Sequence, residues 1–395
     1  MGGINIRNPC YDKIRKIMKT KLPTLMRAML KLGLTAFGGP VAAIAMMRQE
    51  FVLRREWLSE DEFLEFWGIS TVIPGPNAME FAIHIGYQYA GWPGMIVAGV
   101  SYLLPAMLVV LVLSIIYVRL GALPITDAVL YGIKPVVIAI LVWAFIGMLG
   151  PRLRERTKLL ISLVVVIGYL LGVDPVVLMI GAGVLNIIIT AVVNRNPDSL
   201  PLASFFVDFP LLLRRVVSEV PFTLGRLFLV FLKAGSFMYG SGYVLLAFIQ
   251  EDLVFRLGWL TEAELLDAIA VGQVTPGPLS TTATFVGYIL GGLPAALLAT
   301  IAMFLPGFLF VLLSLPLLKM LKNSARGKQF LEGLNFAALG LMLGVTGQIA
   351  STALVDPITI LIAIVMLIIL LRTKFQTHWL ILIGGLIGLI KILLG

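Results

Sequence analysis

The sequence predicts an all-α polytopic membrane protein: two homologous halves forming an inverted repeat, with Gly/Pro-broken helices and about 12–13 membrane segments. Three observations predict it. The 395 residues are 59% hydrophobic and 13% charged, with a mean hydropathy of +1.01, whereas an average globular protein carries ~25% charged residues. Stretches such as 94–118 and 291–318 hold no charge and exceed the ~20 residues that cross a ~30 Å hydrocarbon layer. The chain also repeats itself at one spacing. A soluble core of this size could not hide so much apolar surface, which largely excludes cytosolic enzymes.

The chain opens on a basic tail, residues 1–23, whose Arg7, Lys13, Arg15, Lys16, Lys19 and Lys21 are expected to hold the N-terminus in the cytoplasm. The tail lacks an apolar stretch of the signal-peptide kind, so no cleavage is expected. The first repeat, 24–195, has apolar segments at about 24–47, 63–82, 94–118, 126–149, 159–173 and 175–193. A linker, 196–219, follows; its stretch 199–213 is apolar but interrupted by Pro201 and Pro210, and either crosses the membrane or lies in the interface. The second repeat, 220–395, has segments at about 221–249, 268–290, 291–318, 332–350, 357–371 and 379–394. Segments with Gly/Pro breaks need not be straight full spans.

The two series share one pattern. At an offset of 202, Lys31 matches Lys233, Phe37-Gly38 matches Tyr239-Gly240, Trp57-Leu58-Ser59-Glu60 matches Trp259-Leu260-Thr261-Glu262, and Pro74-Gly75-Pro76 matches Pro276-Gly277-Pro278. At 201, Gly86-Tyr87 matches Gly287-Tyr288, Pro93 matches Pro294, Pro105 matches Pro306 and Gly132 matches Gly333. Loop charges then orient the halves. Arg152, Arg154, Arg156 and Lys158 less Glu155 give +3, where the second half holds only Asp356; the loop around Arg119, Asp127 and Lys134 is +1, where Lys319, Lys322, Arg326 and Lys328 less Glu332 give +3. Asp174 likewise opposes Arg372 and Lys374. Positive loops that alternate out of phase place the halves in opposite orientations, the plan of many secondary transporters. That inversion requires an odd number of crossings in the unit of one half plus linker.

The net charge of +9, from 30 Lys+Arg against 21 Asp+Glu, is accounted for by cytoplasmic loops, and no nucleic-acid partner is expected. Cys10 is the sole cysteine and sits in the tail, while His84 and His378 are widely separated. No disulfide, metal site or cofactor is therefore expected.

Candidate chemistry gathers at four breaks. Phe37-Gly38-Gly39-Pro40 and Pro74-Gly75-Pro76-Asn77 lie in the first half; Tyr239-Gly240-Ser241-Gly242 and Pro276-Gly277-Pro278 lie in the second. Proline removes a backbone donor and glycine tolerates unusual conformations, so these sequences split helices. In lipid, the freed groups survive only where protein or a wet cavity surrounds them. A half-helix starting after Pro76 or Pro278 offers free N–H groups and a positive dipole end, which suits an anion. Asn77 and the hydroxyls of Ser280, Thr281 and Thr282 add donors. The same residues also fit tight packing and kinks; their matching positions in both halves favour a binding site.

Lys31 and Lys233 sit six residues before the Gly-rich breaks, each in an apolar stretch. A desolvated ammonium is costly unless paired or serving a substrate, so they either bind an anion or snorkel. Lys233→Ala is expected to impair transport while the protein stays in the membrane. Glu80 and His84, four apart on one helical face, are candidates for proton coupling or a local structural pair; Ala283 and Gly287 lie opposite or adjacent in the second half, so the pair is not duplicated. The acidic runs at 60–62 and 262–264 are expected to be solvated helix starts capped by Ser59 and Thr261.

At these residues the sequence resembles the chromate ion transporter family, in its long-chain form with two fused homologous halves. Phe37-Gly38-Gly39-Pro40, Pro74-Gly75-Pro76-Asn77 and Pro276-Gly277-Pro278 carry the resemblance, which runs from about Leu30 to the C-terminus. The second half departs from it in reading Gly240-Ser241-Gly242 where the family has Gly-Gly-Pro. The resemblance implies export of chromate across the cell membrane, with sulfate as a structural mimic, driven by the proton gradient. The partners are then the oxyanion and membrane lipid, with a homodimer left open, and no enzymatic activity is expected. A carrier of another small anion, an ion channel and a membrane-embedded enzyme remain alternatives, though polar lining is sparse and no paired carboxylates stand out.

Overall fold

A computed structural model of the chain describes residues 21–36, 39–120, 123–153, 155–193, 220–240, 242–373 and 375–394. The tail up to residue 20 with Cys10, the residues Phe37, Gly38, Arg154 and Ser241, and the 199–213 stretch lie outside the described residues. Every described element is helical. In the first half these are α1 (Leu22–Thr35), α2 (Gly39–Arg48), a π-helical turn (Gln49–Arg54), α3 (Glu60–Ser70), α4 (Asn77–Leu120), α5 (Pro124–Leu149), α6 (Arg156–Leu170) and α7 (Pro175–Val193). The second half repeats them as α8 (Leu224–Phe237), α9 (Val244–Ile249), a π-helical turn (Gln250–Arg256), α10 (Glu262–Val274), α11 (Thr282–Asn323), α12 (Ala325–Ala353), α13 (Pro357–Arg372) and α14 (Thr377–Leu394). Even the π-helical turns recur at equivalent positions.

Local sequence explains the starts. Ser59 and Thr261 cap α3 and α10, each in a capping box with the glutamate three residues on, as their spacing predicts. The run at 60–62 is a solvated helix start as expected, its Glu60 also paired with the exposed Arg48 at 2.7 Å, whereas the half-buried Glu262 accepts from Thr352 at 2.7 Å. Asp356 caps α13, and its carboxyl is pulled down to about 2, chiefly by the hydrogen bond from the Tyr131 hydroxyl.

α4 and α11 are not straight rods. Residues 90 and 91, like 291 and 292, leave helical geometry, with Gly91 at φ 64° and Gly292 at φ 67°, a left-handed backbone that glycine adopts without steric cost. Each element folds back there into a short arm and a long arm. The hydroxyls of Thr284 and Thr300 lie 2.7 Å apart, whereas sixteen residues of straight helix would separate them by ~24 Å. Gly86 likewise meets the Gly94 carbonyl so closely that a Cβ there has no room.

Equivalent helices run antiparallel. Arg152, just past the end of α5, donates to Asn335 near the start of α12 at 3.3 Å, while Tyr131 near the start of α5 donates to Asp356, just past α12, at 2.6 Å. The α4/α11 pair does the same: Tyr117 meets Phe285 with ring centroids 5.0 Å apart, and the Glu80 carboxylate lies against Gly307. The halves are therefore inverted. They also interlock, since α5 packs most extensively on α14 and its equivalent α12 on α7. Glycines permit both crossings, Gly132 against the Gly384 carbonyl and Gly333 against the Ala182 carbonyl. Five described helices are long and apolar enough to span a membrane, and three further apolar helices are shorter. The segments expected at 24–47, 63–82, 221–249 and 268–290 are instead pairs of shorter helices meeting at the breaks.

Lys158 binds Glu332 at 2.7 Å, so the two most basic loops share one face. Single cysteines at Lys158 and Lys328 in a Cys10→Ser background are therefore expected to resist an impermeant thiol reagent added outside intact cells. Ready labelling of both would place that face outside.

Candidate functional site

The four breaks converge between the halves. The Gly75 N–H donates to the Met238 carbonyl at 2.6 Å, and the equivalent Gly277 N–H donates to the Ala36 carbonyl at 3.0 Å. Each Pro-Gly-Pro thus binds the carbonyl that ends the first helix of the other half. The exchange satisfies four backbone groups that the broken helices leave free. Gly75 (φ 134°) and Gly277 (φ 95°) occupy left-handed backbone. A Cβ built on Gly277 would stand 2.8 Å from the Ala106 Cβ, at the middle of the long arm of α4. Gly277→Ala is therefore expected to lower the melting temperature in detergent, costing about 1–3 kcal/mol. Gly347→Ala, which meets open space in α12, is the control expected to leave it unchanged.

Gly39 and Pro40 open α2. Tyr239 is buried, and Gly240 (φ 80°) lies against Asn335. Beyond the Pro-Gly-Pro breaks the halves differ in chemistry. On the first-half side, Glu80 is 1% exposed and wedged between Gly75 and Gly307. Its Oε2, both ring nitrogens of His84 and the Asn77 Oδ1 are buried without a hydrogen-bond partner. His84 stacks on Phe66 at 4.9 Å, but no hydrogen bond joins it to Glu80. On the second-half side Ser280, Thr281 and Thr282 are fully buried. Their hydroxyls turn onto local acceptors: Met238 Sδ at 3.8 Å, the Pro278 carbonyl at 3.0 Å and the Leu279 carbonyl at 2.7 Å. An anion would have to recruit them away from these partners.

The two lysines pair with the π-helical turns, and Lys233 with Asp174 as well, rather than with the breaks. Lys31 lies 3.5 Å from Glu50, which also holds Arg54 at 3.1 Å and Arg55 at 2.6 Å. Lys233 lies 3.1 Å from the equivalent Asp252, which also holds Arg256 at 3.1 Å, and 2.6 Å from Asp174. Sequence reasoning missed these carboxylates, although Glu50/Asp252 and Arg54/Arg256 obey the same 202-residue offset as the lysines. No cluster of metal-ligating side chains occurs among the described residues.

Inverted halves with broken helices meeting at an internal junction define a class, the polytopic membrane proteins built on the inverted-repeat plan of secondary transporters. Within that class the relationship is specific. The sequence model of the chromate transporter family matches residues 23–187 and again 225–389, and the chain belongs to that family. It is 33% identical to a probable chromate transport protein of Synechococcus elongatus, over 88% of this chain and 89% of the relative. It is 33% identical to a chromate transport protein of Cupriavidus metallidurans, over 93% of each. An uncharacterised transporter of Methanocaldococcus jannaschii is 28% identical over 95% of this chain and 96% of its own. No solved structure matches the chain.

Proposed function

We propose that the protein is a secondary transporter that exports chromate, with sulfate as its structural mimic, across the cytoplasmic membrane and couples its movement to protons. The observation that carries this reading is the reciprocal pair of hydrogen bonds between Gly75 and Met238 and between Gly277 and Ala36. It joins four broken ends of two inverted halves at one junction, the arrangement in which transporters hold substrate and alternate access around it. The half-helix starts after Pro76 and Pro278 present N–H dipoles to the anion, Ser280, Thr281 and Thr282 supply hydroxyls, and Glu80 with His84 carries the proton. Membership of the chromate transporter family supports the substrate, and two tetrahedral dianions of like charge and shape support sulfate as the mimic. The N-terminus and both basic loops face the cytoplasm.

The test is flux of labelled chromate and sulfate in proteoliposomes. Flux is expected to rise with an imposed pH gradient and to fall when a protonophore collapses it. Equal flux with and without the gradient would remove the coupling; no flux of either anion would remove the substrate assignment.

A further inference from the structure

Charge separates the two halves more sharply than shape does. The first-half cluster holds Lys31, Arg54 and Arg55 around the single carboxylate of Glu50, a net charge of +2. In the second half Lys233 and Arg256 face Asp252 and Asp174, a net charge of zero. Two exchanges produce the difference: Arg55 is matched by Leu257, and Asp174, the residue before α7, by Gln376, the residue before α14. The two equivalent lysines differ in exposure. The Lys31 and Arg54 side chains are 57% and 62% exposed, whereas Lys233 is 22% exposed between its two acids. Beside the first cluster lies a cavity of about 570 Å³ lined by Lys31, Thr35, Gln49, Glu50 and Arg54 among others. The second cluster is closed by Asp174, contributed from the residue before α7.

The cavity has a direction. At one end Arg54 lines the cavity and its chain neighbour Arg55 lies 5.0 Å over the Trp57 ring; Trp57 in turn stacks on Tyr89 at 3.9 Å, and the Tyr89 carbonyl accepts from Lys21 at the N-terminal face. At the other end Thr35 is the last residue before Ala36, whose carbonyl receives the Gly277 N–H of the opposite half. The cleft between α1 and α2 therefore leads from the N-terminal face toward the junction of the breaks.

We propose that this cleft is an anion-capture site for a small tetrahedral oxyanion, built on one face of the membrane and cancelled on the other. The inference rests on the oxyanion-transport reading and deepens it, because a one-sided entrance favours loading from the N-terminal face. A dianion matches the cluster's surplus of two positive charges. Half-exposed cations attract it from solution without desolvating it fully, which aids both entry and onward release. The second cluster, already neutral, offers no such pull. The shared ligand chemistry is a tetrahedral oxyanion, and an anionic lipid phosphate has it too, so the test separates the two sources.

Full-length protein with Lys31→Gln or Arg54→Gln, both at exposed positions, is reconstituted in phosphatidylcholine vesicles of known orientation. Sulfate binding and flux are then measured. Each variant is expected to raise the half-saturating sulfate concentration by about tenfold, for substrate added at the N-terminal face only, with maximal flux within about twofold. The salt dependence should become shallower in both. Unchanged half-saturation in both variants, or a loss confined to maximal flux, would overturn the proposal. So would a lipid signature, in which half-saturation depends on Arg54 only once phosphatidylglycerol is added. If the unaltered protein neither binds nor moves sulfate or chromate, the transport reading fails first and the cleft loses its ligand.

Discussion

Glu80→Gln is expected to abolish the pH dependence of oxyanion affinity and to reduce gradient-driven flux to the level of gradient-free exchange. The carboxylate sits 1% exposed against the break at Gly75 and against Gly307 of the other half, and Oε2 has no hydrogen-bond partner. No cation among the described residues pairs with it. A dianion arriving at the junction while Glu80 is ionised meets a like charge in a poorly screened interior. At an effective dielectric of ~20, each pair of unit charges ~4 Å apart repels by ~4 kcal/mol, so a dianion against one ionised carboxylate is opposed by ~8 kcal/mol. Protonation removes that penalty, so anion and proton occupancy are linked, and linkage is reciprocal. Affinity in the unaltered protein should therefore fall as pH rises through the titration of Glu80. Glutamine keeps the shape and removes the charge, so the variant should bind tightly and evenly across pH while losing the coupling. The checks are sulfate binding as a function of pH and flux with and without a pH gradient. Gradient-driven flux surviving in Glu80→Gln would pass the proton role to His84, four residues on in the same short arm of α4.

Much of this arrangement is legible in the sequence because duplication writes it twice. The 202-residue offset aligns Pro-Gly-Pro with Pro-Gly-Pro, and it is those two glycines whose N–H groups reach across to Ala36 and Met238. Ser59 and Thr261 read correctly as caps because a capping box needs only four residues of local sequence. What the sequence hides is long-range pairing. The fold-back of α4 rests on Ala90-Gly91, a quiet dipeptide within a 44-residue helical stretch, and hydropathy alone does not separate a hairpin of two arms from one long span. The Lys158–Glu332 bridge joins residues 174 apart, and Asp174 reaches Lys233 from 59 residues upstream. No periodicity encodes such contacts, since they exist only once the inverted halves interlock. Glu50 and Asp252 are intermediate: the repeat displays them, yet their side chains gain meaning only when the π-helical turns bring them back onto α1 and α8.

Those carboxylates change what is expected of Lys233. Sequence alone makes it a cation waiting for substrate, so that Lys233→Ala would weaken transport and spare the fold. In the structure its ammonium holds Asp174 at 2.6 Å and the fully buried Asp252 at 3.1 Å. Removing it leaves Asp252 with Arg256 alone and strands Asp174 beside it. Breaking a buried ion pair by deleting one partner costs about 3–5 kcal/mol, because the remaining charge stays desolvated. Lys233→Ala is accordingly expected to lose folded protein sharply on mild heating in detergent, whatever happens to flux. Lys31→Ala should cost under about 1 kcal/mol, since Lys31 is 57% exposed and Glu50 keeps two arginines. Adding Asp174→Asn to Lys233→Ala removes one of the stranded charges and should restore part of the lost stability. The readout is the fraction of each variant that survives heating as a monodisperse species. If Lys233→Ala survives like the unaltered protein and loses only oxyanion flux, the lysine serves the substrate rather than the fold, and the second-half cluster belongs to the transport path.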